Sequence, residues 1–356
     1  MTSPTVSVPT PATVVDVEVL ERNIRSVHEH LAGLGVRVRP HVKTHKSLEI
    51  ARRQLAAGAA GLTVATVGEA EVFAEVCSDL FIAYPLWPDD SQLASLARLS
   101  EGARVAVGTD SEEAVHHLAK GLDRRVELMI EVDSGHHRSG CSPEQVARVA
   151  RAAGDHGLTV RGVFTFPGHS YAPGEGGRAA REEADALRQA AELLRAELHL
   201  DRVEVSGGST PSTPHTRPGV ITETRPGVYV FNDAQQWELG TVPSDQIALT
   251  VHARVVSVRP GSVVLDSGSK VLGADRAAYA TGFGRLLDHP EARIVQLSEH
   301  HAVVAVPPTI QLHHGDRVRV VPNHVCNAVN LVDQLIPVAG GRQLPPWPVD
   351  ARGRNR

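Results

Sequence analysis

The chain lacks most of the features that would place it outside the ordinary globular enzymes. It has three cysteines, Cys77, Cys141 and Cys326. An odd number at wide spacing excludes a disulfide framework and points to a reducing compartment. No run of about 18 apolar residues occurs, so no membrane-spanning helix is expected. The opening stretch "MTSPTVSVPTPATVVDVEVL" has neither the basic nor the apolar region of a secretory signal. Acidic residues only slightly outnumber basic ones, and a net charge of −5 gives no reason to expect nucleic acid or an anionic membrane as partner. These absences describe a soluble, cytoplasmic chain. What is plentiful is histidine, 19 in all.

At 356 residues the chain exceeds what one core usually serves, so a large domain and a smaller one are expected. Strand signals fall at 36–42, 61–67, 79–85, 103–108, 125–133, 160–166, 202–208 and 228–231. Most are followed by an amphipathic stretch such as "SQLASLARLS" or "REEADALRQAAELLRAELHL". Short apolar strands alternating with helices mean parallel βαβ units, and eight of them predict a (β/α)8 TIM-like barrel. A doubly wound open sheet is the competing α/β architecture, but no Gly-x-Gly-x-x-Gly follows the first strand. After about residue 248 the texture changes to β-branched runs broken by Gly, Pro and Asp, which predicts a C-terminal all-β domain. The expected organisation is a barrel over 12–247, a β-domain over 248–340 and a partly disordered tail over 341–356.

In a parallel barrel, chemistry gathers where the strands end. The unusual residues of this chain fall there: "RPHVKTHKS" after the first strand, "EVDSGHHRSG" after the fifth, "TFPGHSY" after the sixth and "SGGSTPS" after the seventh. A lysine in a basic loop is ordinarily solvated. Lys43, however, ends an apolar strand, and the cations Arg39 and Lys46 beside it would lower its pKa, as suits an imine-forming amine. A Gly-Gly-Ser-Thr turn is usually only a turn. At the end of a late barrel strand, Gly208, Ser209 and Thr210 offer N–H groups and hydroxyls to a phosphate, and "RPGVY" adds Arg225 and Gly227. An imine lysine and a phosphate cradle at one mouth suggest pyridoxal phosphate (PLP), with a lysine-dependent phosphosugar aldolase as the alternative. Late in the chain, "PNHVCN" sets His324 two residues from Cys326, and in extended backbone such residues share a face. They are either two buried residues of a sheet or the ligands of one ion. Cys77 and Cys141 are expected to pack structurally.

These segments, with "TVATVGEAEV", "ETRPGVYVFND" and "LDSGSK", resemble the D-threonine aldolase and D-serine dehydratase family in consistent order from about residue 12 to 335. The resemblance implies an alanine-racemase-like fold, PLP in the barrel mouth, a small amino-acid substrate and usually a homodimer. By it, Lys43 matches the lysine that holds the coenzyme and Arg138 the arginine near its phenolic oxygen. Arg225 resembles the arginine that faces the pyridine nitrogen in the racemases. Gly208, Ser209, Thr210, Gly227 and Tyr229 match the phosphate region, and His169 and Tyr171 match residues close to the ring and substrate. His324 and Cys326 match a metal pair. Imidazole plus thiolate favours zinc, with manganese or magnesium as alternatives. Within the family the dehydratase branch carries His-x-Cys and the well-known aldolases His-x-Asp. Cys326 therefore points to dehydration of a β-hydroxy-D-amino acid to a 2-oxo acid and ammonia. D-threonine aldolase-type cleavage to glycine and an aldehyde is the alternative; an amino-acid racemase or a non-catalytic PLP carrier fits less well. Two short stretches depart from the family pattern. Phe166 stands where many relatives have histidine, and Asn327 and Ala328 stand where many have Pro-Thr, so substrate preference is not carried over.

Overall fold

The first strand of the chain, β1 (Ala12–Asp16), does not join the parallel sheet that follows it. It pairs antiparallel with a strand some 240 residues away, Leu249–Arg259, and parallel with Gln334–Ala339. The computed structural model describes residues 8–356; residues 1–7, where the stretch read for a signal begins, lie outside them. The chain forms two compact units interleaved in sequence. One comprises Met1–Arg25, Thr44–Glu49 and Val228–Gly353, the other Ser26–Lys43, Ile50–Gly227 and Arg354–Arg356.

The second of these units holds eight parallel strands: β2 (Arg37–Val38), β3 (Leu62–Val64), β4 (Asp79–Pro85), β5 (Arg104–Thr109), β6 (Glu127–Glu131), β7 (Val160–Phe164), β8 (Glu204–Gly207) and β9 (Glu223–Thr224). Their order is β2-β9-β8-β7-β6-β5-β4-β3. A parallel bridge between His41 and Thr63 joins the two ends of that order. Helices connect most of the strands and start where the sequence supplies a cap. Thr66 accepts from the Glu69 amide at 3.0 Å, Asp89 and Gln92 cap each other reciprocally, and Ser111 accepts from Ala114. Ser142 and Pro143, read as the start of a helix, open a short 3-10 turn ahead of the helix Val146–Asp155.

The eighth strand is not where periodicity put it. Val228–Val230, read as a strand, is a buried 3-10 turn, and β9 is the polar pair Glu223–Thr224. A short apolar run carries no period that separates strand from helix. Glu223 is in a strand because its carboxylate belongs to a ring of charges at the N-terminal ends of the strands. There Arg37, Arg39, Arg104 and Arg161 interlock with Asp79, Glu127, Glu204 and Glu223. Arg39 is fully buried, 3.0 Å from Glu223 and 2.9 Å from Asp79. It is therefore not a cationic neighbour of Lys43, as the sequence had suggested. Lys46 likewise donates to Asn330 at 2.9 Å.

In the other unit, β10 (Leu249–Arg259), β11 (Ser262–Leu265), β12 (Gly284–Leu286), β13 (Arg293–Leu297), β14 (Ala302–Ala305) and β15 (Arg317–Pro322) are joined antiparallel. Because β11 pairs with both β10 and β14, this run closes on itself. Alternate residues such as Val251, Ala253 and Val255 fill its core, together with Leu265, Ile294, Val304 and Val320. β1 and β16 (Gln334–Ala339) extend the sheet beyond β10. The tail, expected to be partly disordered, instead forms β17 (Arg342–Gln343) and β18 (Trp347–Pro348) against β16, with Trp347 and Ala351 buried. All three cysteines are free, and the buried Cys77 and Cys141 donate to the carbonyls of Asp79 and Glu131. No helix among the described residues is long and apolar enough to cross a membrane.

Removing one partner of a buried ion pair leaves an uncompensated charge. Arg39→Ala is accordingly expected to cost roughly 3–5 kcal/mol, measured by urea unfolding at neutral pH. Arg125→Ala, which removes an exposed pair with Asp123, should leave the unfolding free energy nearly unchanged.

Candidate active site

The strand ends of the parallel unit supply one candidate site. After β2 the backbone bonds sideways: the His41 amide donates to the Pro226 carbonyl at 3.0 Å, and His41 bridges to Thr63. The chain then turns through the 3-10 helix Val42–Thr44, which presents Lys43 at the surface. Lys43 lines a cavity of about 440 Å³ with His41, Tyr84, Asp110 and Arg138. Burial holds the His41 imidazole well below its ordinary pKa, and Lys43, Arg225 and Arg138 push it further the same way. The ring is therefore neutral at pH 7, and its buried Nδ1 has no hydrogen-bond partner.

Arg138 reaches the cavity because the loop after β6 is wound on Asp133. That carboxylate accepts from the Gly135 and His137 amides at 2.9 and 3.0 Å and bonds the His137 ring. Gly135 and Gly140 take the left-handed φ values of 113° and 101° that let the loop fold back. The Arg138 guanidinium lies 5.1 Å over the Phe166 ring, and the His136 ring meets the same ring edge-on. Phe166 thus makes an aromatic contact where many relatives have histidine. His169 and Tyr171 sit in the 3-10 turn Gly168–Tyr171 after β7. His169 Nε2 lies 2.9 Å from Glu182, but out of line for a hydrogen bond.

Arg225 is buried, between 5 and 6 Å from the T-shaped Phe81–Phe164 pair, and donates to Ser206 Oγ and the Thr165 carbonyl. Burial lowers its pKa to about 10, so it remains a cation and a donor at neutral pH. In the turn read as a phosphate cradle, two amides are already engaged. Gly208 N donates to Glu183, and Ser209 N donates to Ser212 Oγ at 2.9 Å. Ser209 Oγ also bonds Ser170 Oγ at 2.8 Å. Gly208 has φ 83°, and a Cβ there would lie 2.8 Å from that of Thr224, so glycine is required. Glu183 was not foreseen as a site residue. Its helix places it on the stripe of Ala180, Ala184 and Leu187, and a carboxylate on an apolar stripe was the available signal. Burial raises its pKa to about 7, against the Gly208 amide and Arg225.

The other unit holds a second candidate site. His324 and Cys326 do come together, though not on one strand. His324 is the extended residue that follows β15, and Cys326 lies in the short helix Val325–Asn330, so a strand-to-helix turn joins them. Asp233, buried and with its pKa raised to about 6 by that burial, accepts from the Val325 amide and fixes the turn. His324 Nδ1 bonds Asp275 Oδ2 at 2.6 Å, and Cys326 Sγ lies 3.3 Å from Thr44 Oγ1. Burial would lower the His324 pKa, but Cys326 and Asp275 outweigh it and lift it to about 11. An imidazole and a thiol backed by a carboxylate make a donor set that favours positive charge, as a divalent cation site requires. Among the described residues no cluster of three or more such ligands occurs, so the protein offers two donors. Nothing in the local sequence around Asp275 announced its role. Tyr229, assigned to the phosphate region, is buried in this unit within the turn Val228–Val230.

The comparisons agree with this architecture. The family described as alanine racemase, N-terminal domain, matches residues 15–235, and the putative serine dehydratase domain matches 248–338. D-threo-3-hydroxyaspartate dehydratase of Delftia sp. is 32% identical over 346 residues, 89% of this chain and 90% of that protein. Its solved structure superposes with a TM-score of 0.88 over 96% of this chain and 97% of that one, at 31% identity. D-threonine aldolase of Arthrobacter sp. is 31% identical over 99% of this chain and 95% of its own length. D-serine dehydratase of Dictyostelium discoideum is 28% identical over 89% of this chain and 90% of its own. D-threo-3-hydroxyaspartate dehydratase has also been solved with a histidine and with a cysteine replaced by alanine, at positions two residues apart, the cysteine variant in a metal-free form. The chain belongs to this family of PLP-dependent lyases with the alanine-racemase-like fold.

The residues at the mouth fit that coenzyme. A buried imidazole nitrogen lacks a partner, an exposed lysine lines the cavity, and Lys43, Arg138 and Arg225 all act electrostatically on one ring. Such a field suits a ligand carrying a phosphate and a phenolate. One pH dependence follows from Glu183. Its pKa is raised in the folded state, so its contribution to stability is present at low pH and is lost as pH rises through about 7. Glu183→Gln keeps an acceptor for Gly208 and should flatten the fall in unfolding free energy between pH 5.5 and 8.5 by a few kcal/mol. Urea titrations at the two pH values measure it.

Proposed function

We propose that the chain is a PLP- and divalent-metal-dependent lyase that removes the β-hydroxyl of a D-amino acid, giving a 2-oxo acid and ammonia, as a D-serine dehydratase does. The observation that carries this reading is the His324–Cys326 pair with Asp275 behind it. The dehydratase branch of the family carries a cysteine at this position, and a D-threo-3-hydroxyaspartate dehydratase with a cysteine replaced by alanine has been solved in a metal-free form. We read the parallel unit as a closed (β/α)8 barrel and, following the family's usual state, the working form as a homodimer.

Bound PLP supplies an electron sink for charge developing at Cα. A bound divalent ion supplies a Lewis acid for the β-oxygen, which is otherwise a poor leaving group. Lys43 holds the coenzyme through its ε-amine. Arg138 and Arg225 offset its negative charge, and Arg225 acts only as a donor because it stays protonated. Asp275 Oδ2 holds the proton of His324 Nδ1, which turns Nε2 into the ligating nitrogen. Cys326 ligates as thiolate, and a soft sulfur donor beside imidazole favours zinc. His169, with Glu182 against Nε2, and the Tyr171 hydroxyl are the groups of the parallel unit that carry protons to and from the substrate. The second reading, retro-aldol cleavage, is favoured by the similarity to the Arthrobacter aldolase.

The holoenzyme is to be given D-serine, D-threonine and D-threo-3-hydroxyaspartate in turn, with 2-oxo acid and ammonia assayed against glycine and aldehyde. Oxo acid from D-serine or hydroxyaspartate is the expected result, and glycine with acetaldehyde as the main products would establish the aldolase. Cys326→Ala, or a chelator, should lower turnover by about 100-fold or more while leaving the coenzyme's absorption band in place. Borohydride reduction and peptide mapping should tag Lys43; an untagged Lys43 removes the basis of the whole assignment.

A further inference from the structure

We propose a second anion site in the parallel unit, at the N-terminal ends of the strands, that takes a small molecule bearing a phosphate. A cavity of about 540 Å³ opens there, lined by Arg37, Arg104, Arg161, Arg195 and Arg202, with Glu127 and Glu204 as its only acidic lining. The charge ring explains three of these arginines, which together with Arg39 are matched one for one by Asp79, Glu127, Glu204 and Glu223. It does not explain Arg195 or Arg202. Arg195 lies in the last turn of the helix Gly176–Leu198 and Arg202 just before β8. Among the described residues, neither forms an ion pair. The Arg195 Nε is buried and has no hydrogen-bond acceptor.

A buried guanidinium N–H without an acceptor is costly, and a protein that needed only a plugged sheet end had no use for two further cations there. Two uncompensated guanidiniums beside a balanced network match the charge of a phosphate dianion, and their planar forks match its oxygens. The volume exceeds what a bare phosphate fills and lies in the range of small-ligand pockets, so an organic phosphate ester fits better than the free ion. The site is on the strand starts, whereas Lys43 follows a strand end, so it is independent of the lyase reading.

The test uses holoenzyme, in which the coenzyme's own phosphate region is filled. Glycerol phosphate, inorganic phosphate and succinate are titrated by calorimetry at low salt into the parent protein and into Arg195→Gln and Arg202→Gln. The expected result is one saturable site per chain for glycerol phosphate, weakened at least ten-fold in each variant, with the coenzyme band unchanged. Arg202 is exposed, so its variant keeps the proposal testable should Arg195→Gln fail to fold. No saturable binding below about 10 mM, or binding that persists in Arg202→Gln, overturns the site. Succinate binding as tightly as glycerol phosphate overturns the phosphate assignment.

Discussion

The buried ion pairs of Arg39 are the contacts on which the geometry of the parallel unit depends. β2 has only two residues, too few to hold its place by ladder bonds alone. Arg39, the next residue, ties it to Glu223 of β9 on one side and to Asp79 of β4. With the chain anchored there, His41 bridges to Thr63 and the following turn delivers Lys43 to the opposite end of the sheet. Taking those charges out of water is expensive. A network in which each carboxylate meets two or more guanidiniums offsets that cost and leaves little freedom in register.

The two candidate sites, one in each unit, use opposite electrostatics. At the ends of the parallel strands, Lys43, Arg138 and Arg225 create a positive field around a neutral His41, which suits an anionic coenzyme. Around His324, Cys326 and the carboxylates of Asp275 and Asp233 create a negative field that raises the imidazole pKa; that field suits a cation. Each site is assembled by residues with no part in binding. Asp133 winds the loop that carries Arg138, and Asp233 secures the turn that joins His324 to Cys326.

Much of this was legible in the sequence. The β/α alternation, the change to all-β texture and the clustering of unusual residues at strand ends are local signals, and the structure has most of them where they were read. The misreadings share one cause. Val228–Val230 looks like a strand and Glu223–Thr224 does not, yet a buried apolar turn and a charged strand start exchange those appearances once the ring of ion pairs is formed. The tail looked disordered for its glycines and prolines, but β16 was waiting to pair with it.

By itself the sequence determined most of the helices and strands, that two kinds of sheet would form, and which residue types stood ready for a coenzyme and an ion. These follow from periodicity, capping and side-chain chemistry, all of which act within a few residues. Tertiary structure alone decided that β1 joins the second sheet, that Arg39 serves the ring rather than Lys43, that Glu183 and Asp275 stand behind the site, and that two arginines remain unmatched at the strand starts. Each of those outcomes depends on partners tens to hundreds of residues away, chosen by burial and charge balance, for which no local pattern exists.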